Sequence, residues 1–139
     1  MTIEFTTENT ELTEMEIEFK QLTEEIIGAA IEVHRELGPG LLESAYEAAM
    51  VHELTRRGIT FERQAALPII YKGMLIDVGY RLDLVVADAV IVELKSVDRI
   101  DRIHEAQLMT YLKLSGKRVG LLINFNVALL KDGITRRIV

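Results

Sequence analysis

Two acids and a lysine offer the clearest chemistry in this chain: Asp83, Glu93 and Lys95, in the stretch Arg81-Leu-Asp-Leu-Val-Val-Ala-Asp-Ala-Val-Ile-Val-Glu-Leu-Lys95. With a tight turn around Asp88, position 83 falls opposite 93 and position 81 opposite 95. Leu82, Leu84, Val86, Val90, Val92 and Leu94 then share one face, and Arg81, Asp83, Val85, Ile91, Glu93 and Lys95 share the other. Alternation this clean in both strands selects the register and requires a loop of odd length. Two carboxylates then face each other about 5 Å apart, which is unfavourable unless a cation lies between them. A hard divalent ion such as Mg²⁺ takes oxygen ligands, commonly one or two carboxylates completed by water. Lys95, two residues beyond Glu93, projects to the same side and can act on a water or on phosphate charge. The other reading is a solvated sheet face crossed by ordinary ion pairs.

Residues on two helices can join this group. Glu43, Tyr46, Glu47 and Met50 stand at helical spacing, so one face offers carboxylates and a phenol. Glu43 is a candidate metal ligand, and equally an exposed acid favoured by the helix dipole. Gln107 and Tyr111 form an i, i+4 pair one turn after His104; they either reach the site or hold their helix to the sheet. His34, His52 and His104 match no zinc spacing and read as ordinary side chains. Other chemistry is excluded. No cysteine is present, so disulfides, zinc thiolates and thiol catalysis are out. Gly38-Pro-Gly40 is not followed by the Lys-Ser/Thr of a phosphate loop, and no Gly-x-Ser-x-Gly elbow exists.

The elements that must position these residues follow from periodicity. Residues 1–20 form an acidic N-terminal arm that fits an edge strand, a helix start or a loose segment. The domain proper spans 21–139. A helix is expected over 23–37, capped by Thr23, with Ile26, Ile27, Ala30, Val33 and Leu37 inward and Gly38-Pro39-Gly40 as its stop. A second, over 41–57, turns Leu42, Ala45, Ala49 and Leu54 inward. The period then changes to two, for strands over 60–70 (broken at Pro68), 74–86 and 89–97. A helix over 101–115, capped by Asp98 or Asp101 and ended by Gly116, precedes strands at 118–125 and 134–139. This order predicts an α/β (α+β) domain with a mixed sheet.

The 139 residues carry a net charge of −6, against the basic balance of a general nucleic-acid coat. The charge is uneven: residues 1–62 hold 14 acidic and 4 basic side chains, whereas residues 63–139 hold 8 and 12. The half with the candidate chemistry is the positive half. No apolar run suits a membrane span and no signal peptide is visible, so a cytoplasmic protein without a membrane partner is expected.

Asp83 followed by Glu93-Leu94-Lys95 resembles the bipartite signature of the PD-(D/E)xK nuclease superfamily, with Leu82 at the usual proline position. Gln107-Leu-Met-Thr-Tyr111 resembles a motif downstream in some branches, and Gly40-Leu-Leu-Glu43-Ser-Ala-Tyr46 matches the motif that names the GxxExxY family. The resemblance covers residue 22 to the C-terminus. It implies a restriction-endonuclease-like core with a three-stranded antiparallel meander flanked by helices. It further implies Mg²⁺ or Mn²⁺ on Asp83 and Glu93 with Glu43 assisting, and Lys95 acting on the attacking water. Gln107 joins these as a catalytic candidate, with Tyr46, Tyr111 and Arg81 in support. The expected activity is an endo- or exonuclease on DNA or RNA, with Arg99, Arg102, Lys113 and Arg118 as phosphate contacts. The alternatives are a non-catalytic module binding nucleic acid or protein on the same fold, and a regulatory subunit that dimerises.

Overall fold

The computed structural model describes the backbone from residue 3 and side chains from residue 14 onward. Of the expected acidic arm, residues 1 and 2 lie outside the described residues; from Ile3 the chain is already helical, and α1 continues without a break to Leu37. No Gly or Pro interrupts residues 3–27, and Glu and Leu are good helix formers, so the helix continues through the expected start at Thr23. Thr23 caps nothing: its hydroxyl turns back on its own helix and donates to the carbonyls of Phe19 and Lys20, each at 2.9 Å. Ile26, Ala29, Ala30 and Val33 form the buried stripe, while Leu37 is exposed.

Helix α2 spans Glu43–Arg56 and buries Tyr46, Met50 and Leu54. The expected stripe of Leu42, Ala45, Ala49 and Leu54 is therefore corrected: Leu42 and Ala45 are exposed. Both stripes have helical spacing. The one with larger side chains removes more apolar surface from water and takes the core.

Strands β1 (Phe61–Ala66), β2 (Ile69–Tyr71), β3 (Met74–Ile76), β4 (Arg81–Val86) and β5 (Val90–Lys95) follow, then α3 (Arg102–Ser115), β6 (Val119–Asn124) and β7 (Ile134–Ile138). The main sheet has the order β1-β4-β5-β6-β7. β1-β4-β5 is an antiparallel meander, β6 is parallel to β5 after the α3 crossover, and β7 returns antiparallel. β2 and β3 pair only with each other and stand off this sheet. The first stretch breaks at Pro68, as expected, whereas the single strand expected over 74–86 divides in two before Gly79.

The mixed sheet separates two cores. One lies under α1 and α2 and includes Ile26, Tyr46, Met50, Val92, Ile123 and Phe125. The other lies under α3 and includes Val85, Ile91, Leu108, Tyr111, Leu112 and Leu122. Glycines let the chain close tightly: a Cβ on Gly120 would come within 2.7 Å of Leu108 Cδ1. A Cβ on Gly133 would overlap the backbone carbonyl oxygen of Asn124, which has no room to move. Gly133→Ala is therefore expected to destabilise the fold by about 3 kcal/mol, the scale of severe overpacking, read as a fall in the urea midpoint without change of slope. Among the described residues no helix is long and apolar enough to cross a membrane.

Candidate active site

The β4–β5 hairpin has the register that alternation predicts. Leu84 pairs with Val92, Val85 with Ile91 and Val86 with Val90. The loop is the three residues 87–89, and Ala87 and Asp88 both take left-handed backbone at φ 52° and 54°. Lys117 fastens it, donating to the carbonyl and carboxylate of Asp88 at 3.0 and 2.8 Å.

Past Leu84 and Val92 the backbones stop pairing with each other. The Asp83 N–H donates to Glu93 Oε2 at 2.8 Å, and the Leu94 N–H donates to Asp83 Oδ2, also at 2.8 Å. Each acid thus binds the backbone of the opposite strand, and both carboxylates lie in the gap where the strands part. The alternation changes here as well. Leu82 belongs to the core under α3, not to the face of Leu84 and Val86. The cause lies across the sheet: Gln64 on β1 is left-handed at φ 52°, and the 64–83 step is missing from the β1–β4 ladder. Both strands change face at that step, and Asp83 sits on it.

Burial dominates the electrostatics. Glu93 is 6% exposed. Desolvation, then the charge of Asp83, pushes its pKa up to about 8 against the opposing pull of the Asp83 N–H and Lys95. Asp83 is also raised, first by burial and then by the Glu47 charge, with the Leu94 N–H, Lys95 and Gln64 pulling back. Two acids that resist losing both protons make a site that favours a cation.

The other predicted residues divide. Lys95 is half-buried, and its charge acts on both acids. Tyr111 is near enough that Glu93 and Asp83, after burial itself, hold its phenol above the ordinary range. Gln107 is half-buried one turn earlier on the same face of α3. Arg81 is exposed at the start of β4. Tyr46 is fully buried, stacked on Phe125 at 4.4 Å, with its hydroxyl donating to the Gly38 carbonyl at 2.5 Å. It also accepts from the Leu41 N–H at 3.2 Å, so it clamps the turn between α1 and α2.

Glu43 is exposed at the start of α2. The α2 acid tied to the pair is Glu47. Its carboxylate accepts from Arg63 Nε at 2.8 Å and Gln64 Nε2 at 2.5 Å, and Gln64 reaches on to Asp83 Oδ1 at 3.4 Å. Gln64 had no signal in the sequence, since its role depends on the kink of β1; Glu47 was visible only as the i, i+4 partner of Glu43. The histidines are scattered, as expected. His34 bonds the Val127 carbonyl at 2.8 Å, His104 accepts from the Asp101 N–H at 3.0 Å, and His52 is exposed. Of the proposed phosphate contacts, Arg118 lies at the far end of the sheet, next to the β6 residue paired with Val90.

Among the described residues no group of three or more acids or histidines gathers to hold a metal. The donor set at the pair nevertheless fits one. Each carboxylate commits one oxygen to a backbone N–H, both are hard donors, and Lys95, with Gln64 at Asp83, adds to those N–H groups in offsetting their mutual repulsion. Two carboxylates completed by water suit Mg²⁺ or Mn²⁺.

A five-stranded mixed sheet flanked by helices, with a meander opening onto paired acids, is the restriction-endonuclease-like architecture. The family model of the PD-(D/E)XK nuclease superfamily matches residues 20–137, and the chain belongs to that superfamily. Neither a search of curated proteins nor a search of solved structures returned a match for this chain.

Proposed function

We propose that this protein is a metal-dependent nuclease that hydrolyses phosphodiester bonds, with DNA as the first substrate to try and RNA as the second. The observation that carries the reading is the reciprocal pair: a buried Glu93 and a half-buried Asp83, each held by the other's strand, with a lysine two residues on. Asp83 and Glu93 hold Mg²⁺ or Mn²⁺, which when bound acidifies water and neutralises phosphate charge. Lys95 orients the attacking water and carries charge that builds on the phosphate. Gln107 and Tyr111 bound the site from α3. The α2 acid is assigned first to Glu47, which already acts on Asp83, with Glu43 as the second candidate. The motif residues Gly40, Glu43 and Tyr46 support membership of the GxxExxY branch, and two of them have a mechanical role in this reading, since Tyr46 clamps the turn that Gly40 completes.

The test is cleavage of plasmid, single-stranded and duplex substrates with Mn²⁺. Lys95→Ala is expected to lower the rate by roughly 10²–10³-fold, the scale of losing one transition-state donor, while metal-induced stabilisation persists. Asp83→Ala is expected to remove both. Full activity in either variant would sink the reading. Glu47→Gln against Glu43→Gln separates the two helix acids. One observation favours a second reading, a module that binds nucleic acid or protein without cutting: Glu47 already spends its carboxylate on Arg63 and Gln64, leaving a pair where a trio would bind metal more tightly. That reading expects nucleic-acid or protein binding with no cleavage at any metal concentration.

A further inference from the structure

The β2–β3 hairpin is unexplained by the fold. Its strands pair over three positions, Ile69 with Ile76, Ile70 with Leu75 and Tyr71 with Met74, around a left-handed Lys72-Gly73 turn. A two-stranded ribbon this short is marginal in water by itself. Yet Ile70, Tyr71, Met74, Leu75, Val78 and Tyr80 are each between 45% and 63% exposed. Apolar surface concentrated on one projecting element marks a binding surface.

Its position identifies the occupant. The hairpin is inserted between β1 and β4, the two strands that carry Gln64 and Asp83. Its base is tied to the domain by the Leu67 N–H, which donates to the Tyr80 carbonyl at 3.0 Å. Tyr80 meets Tyr111 edge-on at 6.4 Å, and Tyr111 lies beside the acid pair. Arg81 is two residues before Asp83 on β4, and a cleft lined by Pro68, Leu75, Tyr80 and Arg81 separates the hairpin from the strand ends. At the tip Lys72 Nζ stands 5.4 Å from the centre of the Tyr71 ring. From the acids outward the order is thus Tyr111, Tyr80 with Arg81, then Tyr71 with Lys72. Aromatic faces interleaved with cations suit a polyanion with bases free to stack, and aliphatic tips suit insertion between them. Within the insertion Lys72 and Asp77 balance, and Arg81 at the start of β4 adds one positive charge.

We propose that this hairpin is the substrate platform of the active site, and that it takes a single-stranded segment of nucleic acid, whose bases stack on Tyr80 and Tyr71 while its phosphate lies at Asp83 and Glu93. The proposal rests on the nuclease reading and narrows its substrate to strands with unpaired bases. A continuous duplex keeps its bases stacked on each other and gives the two rings nothing to hold.

The experiment measures fluorescence anisotropy of a labelled oligothymidine of about twenty nucleotides, and of a duplex of the same length, with full-length protein in Ca²⁺. Wild type is expected to prefer the single strand. Tyr71→Ala is expected to weaken that binding roughly tenfold, the loss of one stacked base, and Tyr71→Phe to preserve it. The double variant Ile70→Ser/Leu75→Ser is expected to weaken it similarly. These side chains are exposed, so unchanged melting curves check that each variant folds. If wild type binds and cleaves nucleic acid but the variants bind the single strand as tightly, the hairpin proposal is overturned and the nuclease reading survives. If wild type neither binds nor cleaves any substrate, both are overturned. If the double variant instead converts a dimer to a monomer in sedimentation, with single-strand affinity unchanged, a second copy covers the hairpin and the proposal is wrong.

Discussion

Glu93→Gln is expected to abolish metal-dependent cleavage and, at the same time, to stabilise the metal-free protein at alkaline pH. The two effects share one cause. Glu93 is buried against Asp83, and only the Asp83 N–H and the charge of Lys95 favour its ionised form. Gln keeps the shape and keeps an oxygen to accept the Asp83 N–H, while its amide can donate to the Asp83 carboxylate. The like-charge repulsion disappears, and with it one of the two anionic ligands. Altering an outer-shell partner of a metal commonly costs 10–100-fold, so loss of a direct ligand is expected to reduce cleavage by at least about a hundredfold. The stabilisation relative to wild type grows as pH rises from about 4.5, where the unfolded chain loses this proton, and levels off above about 8. Below about pH 4.5 Glu93 is neutral in the folded and the unfolded chain alike, and the two proteins should melt together. Paired melting curves across pH, with the cleavage assay, check this. A Glu93→Gln protein that cuts normally, or is weaker at every pH, would show that the carboxylate is an ordinary structural group.

The second large effect is on wild type alone. The folded pKa of Glu93 is about 8 against an ordinary 4.5. Between these values the native state holds a proton that the unfolded state has lost. Stability is therefore fully present below about pH 4.5 and declines as pH rises towards 8, by at most about 1.4 kcal/mol per pH unit. Asp83, also raised, adds the same sign. Metal-free protein should thus lose melting temperature from mildly acid to mildly alkaline conditions. Mg²⁺ or Mn²⁺ competes with that proton, so its stabilising effect should be small near pH 5 and large above pH 8. Binding near neutrality should release about one proton. Calorimetry in buffers of different ionisation enthalpy measures that release directly. A metal response independent of pH, or a melting temperature that rises through this range without metal, would contradict the assignment of the pair.

The pair was readable in the sequence because a hairpin leaves few alternatives. Strict alternation on both sides of Asp88, with an apolar reverse face, allows one register, and that register puts 83 opposite 93. Helix stops were readable for a similar reason: Gly38-Pro39-Gly40 and Gly116 terminate helices by backbone geometry alone. What depended on packing was not readable. The apolar residues of α2 supply two stripes at the same period, and the one with larger side chains takes the core, with Tyr46 stacked on Phe125 from the far end of the chain. The face of Leu82 depends on the kink at Gln64, whose side chain bonds Asp83 nineteen residues further along the chain. Glu47 could be recognised at the site only after α2 was rotated by its core contacts, and Thr23 carried a start signal that the flanking helix formers overrode.

The left-handed Gln64 has a consequence for how these molecules behave towards one another. β1 is an edge strand, and an edge strand offers unpaired N–H and C=O groups to any other chain. Gln64 breaks that row in the middle, with Glu62 and Arg63 exposed beside it. A second strand could align with two or three residues on one side of the kink before losing register. The distortion that lets Asp83 leave the ladder thus also keeps the open side of the sheet from seeding aggregates, which matters most for a protein that already displays an apolar hairpin next to it.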